Sequence, residues 1–228
     1  RQLVTILVIL ACAIPAAASR LETVKVESES MHKQIDVSVV LPDSYGARPL
    51  PVVYLLHGYG DNNLRGYLSY TNVRQYVDMF DVVLVIPDGG TNWYFDSPVD
   101  PTIRYETFVS SELVKYIDKN YLTDARRERR AVTGLSMGGH GALYLAIRHQ
   151  DVFGAAGSMS GGVDFRPFPE KWDIKLRLGD QKTHKENWDK NTVMAQLPLL
   201  KDGALQLIID CGTEDFFFDV NVKLHEAL

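Results

Sequence analysis

The chain has 228 residues and a net charge of −5, with 46% hydrophobic and 23% charged residues. This composition is that of a folded globular protein, so a disordered or fibrous chain is excluded. The acidic balance argues against a nucleic-acid-binding protein, which would carry a basic surface. A chain of this length can bury a sizeable core as one domain, so no second folded domain is predicted.

The first residues differ in composition from the rest. Apart from Thr5, residues 3–14 are apolar, and they lead through Pro15 to small residues ending near Ala18. The run is shorter than the ~20 residues of a membrane-spanning helix and is typical of a cleaved secretory signal peptide. We therefore predict a signal peptide over residues 1–19 and a folded domain over residues 20–228. We expect no membrane span after cleavage, and export to the periplasm or the extracellular space.

Two cysteines qualify this interpretation. The sequence Ile-Leu-Ala-Cys ending at Cys12 partly matches a lipoprotein signal, so a lipid-modified N-terminus is an alternative to simple cleavage. If the leader is cleaved after residue 19, Cys12 is lost with it. Cys211 is then the only cysteine, and an internal disulfide is excluded. Cys211 ends the apolar run LQLIIDC, which predicts a buried strand and a packed, unreactive thiol.

The elements that follow the leader alternate between strands and helices. Residues 23–29 and 32–41 alternate polar and apolar side chains, which predicts an antiparallel hairpin at one sheet edge. The continuous apolar runs PVVYLLHG from Pro51 and DVVLVIPDGG from Asp81 are typical of central parallel strands, and residues 64–80 between them predict a crossover helix. Further helices are predicted over 105–121, 138–149, 186–196 and from 219 to the end, and further strands over 130–133, 154–159 and 205–211. This order predicts an α/β fold with one doubly wound, mostly parallel sheet and an irregular excursion over 161–178.

The most informative motif is Gly134-Leu135-Ser136-Met137-Gly138, which lies between a predicted strand and a predicted helix. G-x-S-x-G in this context indicates a nucleophile elbow, a tight turn that exposes a serine hydroxyl. Glycines on both sides leave room for the close approach of strand and helix. The helix N-terminus places positive partial charge beside a developing oxyanion.

A second motif, His57-Gly58-Tyr59-Gly60, follows the strand PVVYLL. An α/β-hydrolase has the loop with its other oxyanion-hole N–H group at this point. We therefore predict that the backbone N–H groups of Tyr59 and Met137 form the oxyanion hole. His57 is interpreted as a histidine that braces this loop, since the catalytic base usually comes last in the chain.

These two motifs, in the segments GLSMGGHGAL and LLHGYGDN, together with PDGGTNWYFDSP and IIDCGTEDFF, resemble the esterase D family of α/β-hydrolases. This family includes S-formylglutathione hydrolases, tributyrin-type esterases, antigen 85 mycolyltransferases, and feruloyl and acetylxylan esterases. The resemblance extends from Thr23 to Leu228. It implies an α/β-hydrolase fold and serine-dependent hydrolysis of carboxylic esters, with Ser136 as nucleophile and an acid in the loop after Cys211.

The resemblance also implies the identity of the acid and exposes a departure from the family. Asp215 matches the family position of the acid, which would orient the catalytic histidine, with Glu214 or a merely solvated loop as alternatives. The family histidine follows the acid by a few tens of residues, whereas this chain ends at Leu228. We expect the catalytic histidine beyond Leu228, with the chain truncated and poorly active; His225 is the weaker alternative.

The nature of the substrate depends on weaker signals. Trp93 and Tyr94 follow a glycine-rich strand end and, with His57 and Gly58, are predicted to line the substrate pocket or else to cap the core. Export favours short acyl esters or acetyl and feruloyl esters on carbohydrate over a cytosolic thioester. An acyltransferase with the same nucleophile and a non-catalytic binding protein remain alternatives. No metal or cofactor is predicted, because the chain lacks H-E-x-x-H, clustered Cys and His, G-x-G-x-x-G and a P-loop.

Overall fold

The computed structural model describes residues 19–228, so the predicted signal peptide and the lipoprotein alternative at Cys12 lie outside the described residues, apart from Ser19. The strands are β1 Arg20–Ser28, β2 Lys33–Leu41, β3 Val52–Leu56, β4 Val83–Pro87, β5 Arg130–Leu135, β6 Ala155–Met159 and β7 Gln206–Asp210. The α-helices are α1 Gly66–Tyr70, α2 Val73–Phe80, α3 Tyr105–Thr107, α4 Val114–Asn120, α5 Met137–Arg148, α6 Ile174–Leu178, α7 Lys185–Lys190, α8 Val193–Gln196 and α9 Phe218–Ala227. A π-helical turn, Phe108–Leu113, joins α3 to α4, and short 3₁₀ turns cover Arg127–Arg129 and Leu197–Leu199. Among these described residues, no helix is both long and apolar enough to cross a bilayer.

The seven strands form one sheet in the order β1-β2-β4-β3-β5-β6-β7. β1 pairs antiparallel with β2, with Arg20 opposite Leu41, and β2 pairs antiparallel with β4. Every pair from β4 to β7 is parallel. The predicted mixed sheet with an N-terminal hairpin at one edge is therefore confirmed.

The core lies on both faces of β3, β4 and β5. The apolar side chains of β4 are all buried, as the continuous run predicted. α5 is buried along most of its length because small residues in its first turns allow it to pack closely on the sheet. Close packing at the N-terminal end of α5 fixes the position of Ser136, the residue immediately before this helix.

Three elements differ from their sequence predictions. The crossover predicted as one helix over 64–80 is two helices, α1 and α2, separated at Thr71 and Asn72. The helix predicted over 186–196 is likewise broken between α7 and α8, where the Thr192 hydroxyl caps the second helix by accepting from the Ala195 N–H. β7 is an edge strand, with Ile208 76% exposed, and Cys211 is only half-buried, so the predicted buried strand is wrong.

One face of the sheet is partly uncovered. A trough of about 380 Å³ lies between β3, β4 and α2 and is lined entirely by apolar surface apart from Thr133. A second trough of about 580 Å³ runs across β5, β6 and β7 and includes Ile208. The two troughs share Thr133 and leave apolar surface accessible on this face of the sheet.

Candidate active site

Ser136 lies at the turn between β5 and α5, with its backbone at φ 57° and ψ −111°. A residue with a Cβ rarely adopts this conformation, which persists only when its surroundings fix it. The Ser136 N–H donates to the Met159 carbonyl at 2.9 Å, and its carbonyl accepts from the N–H groups of His140 at 3.0 Å and Gly162 at 3.1 Å. Hydrogen bonds to α5 and to residues at and after the end of β6 therefore hold the elbow, and the Ser136 side chain is half-buried.

The glycines of the motif are explained by the distance between α5 and β3. A Cβ on Gly138 would lie 2.0 Å from the Leu56 carbonyl oxygen, and one on Gly134 would lie 2.5 Å from the same atom. Neither position can hold a side chain unless the backbone shifts. The same close approach brings the loop after β3 next to the serine, since a Cβ on Gly58 would lie 3.8 Å from the Ser136 Cβ.

Two backbone N–H groups are available beside Ser136. Met137 is the first residue of α5, so its N–H has no acceptor within the helix. The Gly58 carbonyl is held by the Nδ1 of His57 at 2.8 Å and the N–H of Asp61 at 3.3 Å. Because the C=O and N–H of a trans peptide point in opposite directions, these contacts turn the Tyr59 N–H away from His57. Within residues 19–228 the Tyr59 N–H makes no hydrogen bond, as an oxyanion donor requires.

His57 is buried and uses both ring nitrogens in the structure. Its Nε2 accepts from the Gly89 N–H at 2.8 Å, so the proton lies on Nδ1 and is donated to the Gly58 carbonyl. His57 therefore ties the loop after β3 to the loop after β4. This arrangement is that of the bracing histidine predicted from the sequence.

Trp93 and Tyr94 lie behind the loop, with 1% and 0% of their surface exposed. The Tyr94 hydroxyl donates to the His57 carbonyl at 3.2 Å, and the Trp93 indole N–H donates to the Trp172 carbonyl at 3.1 Å. Their burial favours the interpretation that they cap the core and support the loop. Exposed aromatic surface is contributed instead by Tyr59 and by Phe216, whose ring stacks on Trp172 with centroids 5.4 Å apart.

The predicted acid lies in the loop between β7 and α9. Asp215 is half-buried; its carboxylate accepts from the Phe217 N–H at 2.8 Å and its carbonyl accepts from the Phe218 N–H at 2.9 Å. Glu214 is exposed, and its carboxylate makes no hydrogen bond within the described part of the chain. Asp210 ends β7, and Asp219 lies in the first turn of α9.

Within residues 19–228, no histidine ring forms a hydrogen bond with the Ser136 hydroxyl or the Asp215 carboxylate. His140 is fully buried between the carbonyls of Trp93 and Asn191, and burial lowers its pKa to about 4. The Nε2 of His149 lies 2.9 Å from a carboxylate oxygen of Glu106. His225 lies exposed in the last turn of α9. The described residues thus include a serine at a strained turn, two backbone N–H groups beside it and a carboxylate, with no histidine ring in contact with the serine or the carboxylate.

One contact near the serine had no signal in the sequence. The Tyr59 hydroxyl donates to the Asp173 carboxylate at 2.9 Å, across 114 residues of chain. Asp173 lies in the irregular excursion, where no periodic pattern or motif indicates which side chains reach the site. Only the folded chain brings this carboxylate to the loop after β3.

Comparison with known proteins gives one family match and several similar chains. Residues 28–227 match the family model "Esterase", described as putative esterase. Esterase Rv1288 of Mycobacterium tuberculosis is 37% identical over 136 residues, 57% of this chain and 30% of that protein. The diacylglycerol acyltransferase/mycolyltransferase Ag85B of Mycobacterium leprae is 30% identical over 210 residues, 84% of this chain and 62% of that protein. The solved structure of a ferulic acid esterase superposes with a TM-score of 0.77 at 27% identity, covering 92% of this chain and 85% of that one.

The chain spans 30% and 62% of the lengths of these two mycobacterial relatives. The family model nevertheless matches nearly all of the described residues. The sheet order and the elbow at Ser136 agree with this match, and the α/β-hydrolase fold is shared with the solved esterase. The chain belongs to the esterase family.

Proposed function

We propose that this chain is the catalytic domain of an exported serine esterase that hydrolyses carboxylic esters through an acyl-enzyme on Ser136. The observation that carries the proposal is the geometry at the elbow, where the Ser136 side chain faces the Gly58 loop and lies beside the unused N–H group of Met137. The Ser136 oxygen attacks the ester carbonyl carbon as the serine proton passes to a base. The Tyr59 and Met137 N–H groups stabilise the oxyanion, and the alcohol leaves with that proton. Water then releases the acid by the same steps.

The acid of the proposed triad is Asp215, and we propose that its histidine follows Leu228 in the complete protein. Asp215 is supported by its position after β7 and by its partial burial, whereas Glu214 extends into solvent. The open edge of β7 leaves room for a further strand. A loop after such a strand would reach the carboxyl ends of the parallel strands, where Ser136 lies.

The proposed substrates are short acyl esters or acetyl and feruloyl esters on carbohydrate. The exposed ring of Phe216 and the half-buried ring of Trp172 lie next to Asp215 and offer an apolar platform for an aromatic acid or a sugar ring. The similarity to a ferulic acid esterase supports the same class.

Acyl transfer is a second candidate reaction, favoured by the similarity to Ag85B, a diacylglycerol acyltransferase/mycolyltransferase. Both reactions form the same acyl-enzyme and differ only in whether water or an alcohol attacks it. Adding increasing concentrations of a free sugar to a reaction with p-nitrophenyl acetate distinguishes them. Hydrolysis predicts that the acetate released equals the nitrophenol released, whereas transfer predicts a deficit of acetate and an acetylated sugar.

The nucleophile is tested with a fluorophosphonate probe, which phosphonylates an activated serine. We expect stoichiometric labelling of the complete protein and none of Ser136→Ala, with the labelled peptide containing Ser136. Ser160→Ala is the matched control, because Ser160 also has a positive φ and lies near the end of β6. It should be labelled as the wild type is. Labelling of Ser136→Ala would disprove the assignment.

The acid is tested by comparing Asp215→Asn with Glu214→Gln in the complete protein. Replacing the acid of a triad leaves the wrong histidine tautomer and lowers kcat by up to about 10⁴-fold. We expect Asp215→Asn to lower kcat by at least about 100-fold, with little change in KM, and Glu214→Gln to remain close to wild type. The reverse result would transfer the role to Glu214.

A further inference from the structure

The proposed oxyanion loop has a glycine on each side of its donor residue. Tyr59 stands between Gly58 and Gly60, and Gly60 has a φ of 80°. Two flanking glycines give this backbone many accessible conformations, so the Tyr59 N–H needs outside contacts to keep one direction. His57 provides one such contact on the Gly58 carbonyl. The Tyr59 side chain, 37% exposed, provides another through its hydroxyl bond to Asp173 at 2.9 Å.

Asp173 is itself held in one place by its surroundings. It has a φ of 55° and a ψ of 14°, and Trp172 before it has a φ of 54°, a left-handed conformation that is unfavourable for residues with a Cβ. The Trp172 carbonyl accepts from the Trp93 indole N–H. The centroid of the Trp172 ring lies 5.1 Å from that of the Phe217 ring. These contacts impose the unfavourable backbone and thereby present the Asp173 carboxylate to Tyr59.

We propose that Asp173 is a positioning residue for ester hydrolysis, which acts through the Tyr59 hydroxyl to hold the Tyr59 N–H towards the oxyanion at Ser136. The inference depends on the proposed function, because the oxyanion forms only if Ser136 attacks an ester carbonyl. Asp173 does not touch the reacting atoms. The hydrogen bond to Asp173 also raises the pKa of Tyr59, so the phenol remains a donor throughout the neutral range.

The test measures the rate at which a fluorophosphonate labels Ser136 in the complete protein, separating the maximal rate from the half-saturating probe concentration. The variants are Tyr59→Phe, Asp173→Ala, their double variant and Asp173→Asn. We expect each of the first two to lower the maximal rate about tenfold, with the half-saturating concentration unchanged, since a misaligned donor weakens only the stabilisation of the charged transition state. The double variant should equal the single variants because both break one bond. Asp173→Asn should recover most of the rate, since its amide oxygen still accepts.

The control is Glu170→Gln, which changes a carboxylate on the same excursion that pairs with Lys175 and does not contact Tyr59. It should label at the wild-type rate. Thermal denaturation identifies any variant that misfolds. If Asp173→Ala misfolds, the labelling rate of Tyr59→Phe, which keeps the aromatic ring, tests the inference instead. Labelling of Asp173→Ala and Tyr59→Phe at the wild-type rate would overturn this inference but leave the proposed function standing. A wild type that is not labelled, or a Ser136→Ala variant that is, would overturn the proposed function and the inference with it.

Discussion

At the scale of single residues, Gly138 determines how closely α5 approaches β3. Its Cα lies so near the end of β3 that an added Cβ would be 2.0 Å from the Leu56 carbonyl oxygen and 2.9 Å from that of His57. Both contacts are with backbone, which cannot move aside as a flexible side chain does. The glycine therefore couples the elbow to the oxyanion loop, and its role is steric.

We predict that Gly138→Ala destabilises the protein by roughly 1–3 kcal/mol, the usual cost of overpacking, and also lowers the labelling rate of Ser136. The activity falls because α5 must move away from β3, which separates Met137 from Tyr59. Gly212→Ala is the matched control, since a Cβ there would contact nothing within 4 Å. Urea denaturation and probe labelling check both proteins. A Gly138→Ala variant as stable and as reactive as Gly212→Ala would contradict the steric explanation.

The sequence predicted some site residues and could not predict others. Ser136 and the loop at His57 are encoded by local spacing, because a tight turn and a close backbone approach need glycines at fixed positions. The burial of Trp93 could not be decided, since a long aromatic residue after a strand suits a pocket wall and a core equally well. Asp173 was missed because a contact across more than 100 residues leaves no periodic signal.

At the scale of elements, the helix from Tyr105 to Asn120 contains a π-helical turn and meets the C-terminal end of α5. Glu106, in its first turn, accepts hydrogen bonds from Arg148 at 2.7 Å and from His149 at 2.9 Å. Burial alone would raise the pKa of Glu106, but these two partners outweigh it and lower the pKa below its ordinary value of 4.5. The carboxylate therefore holds the C-terminal end of α5, the helix that follows Ser136.

We predict that Glu106→Gln lowers the free energy of unfolding by roughly 2 kcal/mol at pH 7, because it leaves a mostly buried pair incomplete. A carboxyl with a lowered pKa stabilises the fold fully above its unfolded value and loses that effect as the pH falls through the folded value. The difference between variant and wild type should therefore shrink below about pH 4.5. Urea titrations from pH 3.5 to 7 measure it.

The control for this prediction is Glu186→Gln, which removes an exposed carboxylate paired with Lys190 one helical turn away. An exposed pair contributes little, so this variant should match the wild type at every pH. A pH-independent loss of stability in Glu106→Gln would mean that its packing, and not its charge, matters.

At the scale of the whole molecule, the order of strands and helices followed from hydrophobic patterning, and the predicted α/β-hydrolase fold is confirmed. Helix breaks were missed because Thr71 and Asn72, or Asn191 and Thr192, interrupt a pattern without a glycine or proline to mark the end. β7 was predicted to be buried because its residues are apolar on both faces. A local pattern indicates what a strand can bury, whereas the neighbours decide what it does bury.

The open edge of β7 leads to the last prediction. Edge strands with free N–H and C=O groups and apolar side chains pair with other chains, and Ile208 is 76% exposed on this edge. We predict that the 228-residue chain self-associates with increasing concentration and that Ile208→Lys suppresses this. The melting temperature of the Ile208→Lys variant should be little changed, because an exposed substitution usually alters stability by less than about 0.5 kcal/mol.

Leu199→Lys, at an exposed apolar residue in a 3₁₀ turn outside the sheet, is the control and should associate as the wild type does. Sedimentation velocity over a concentration series decides the matter, and equal suppression by both substitutions would mean that general surface charge, and not the β7 edge, controls association.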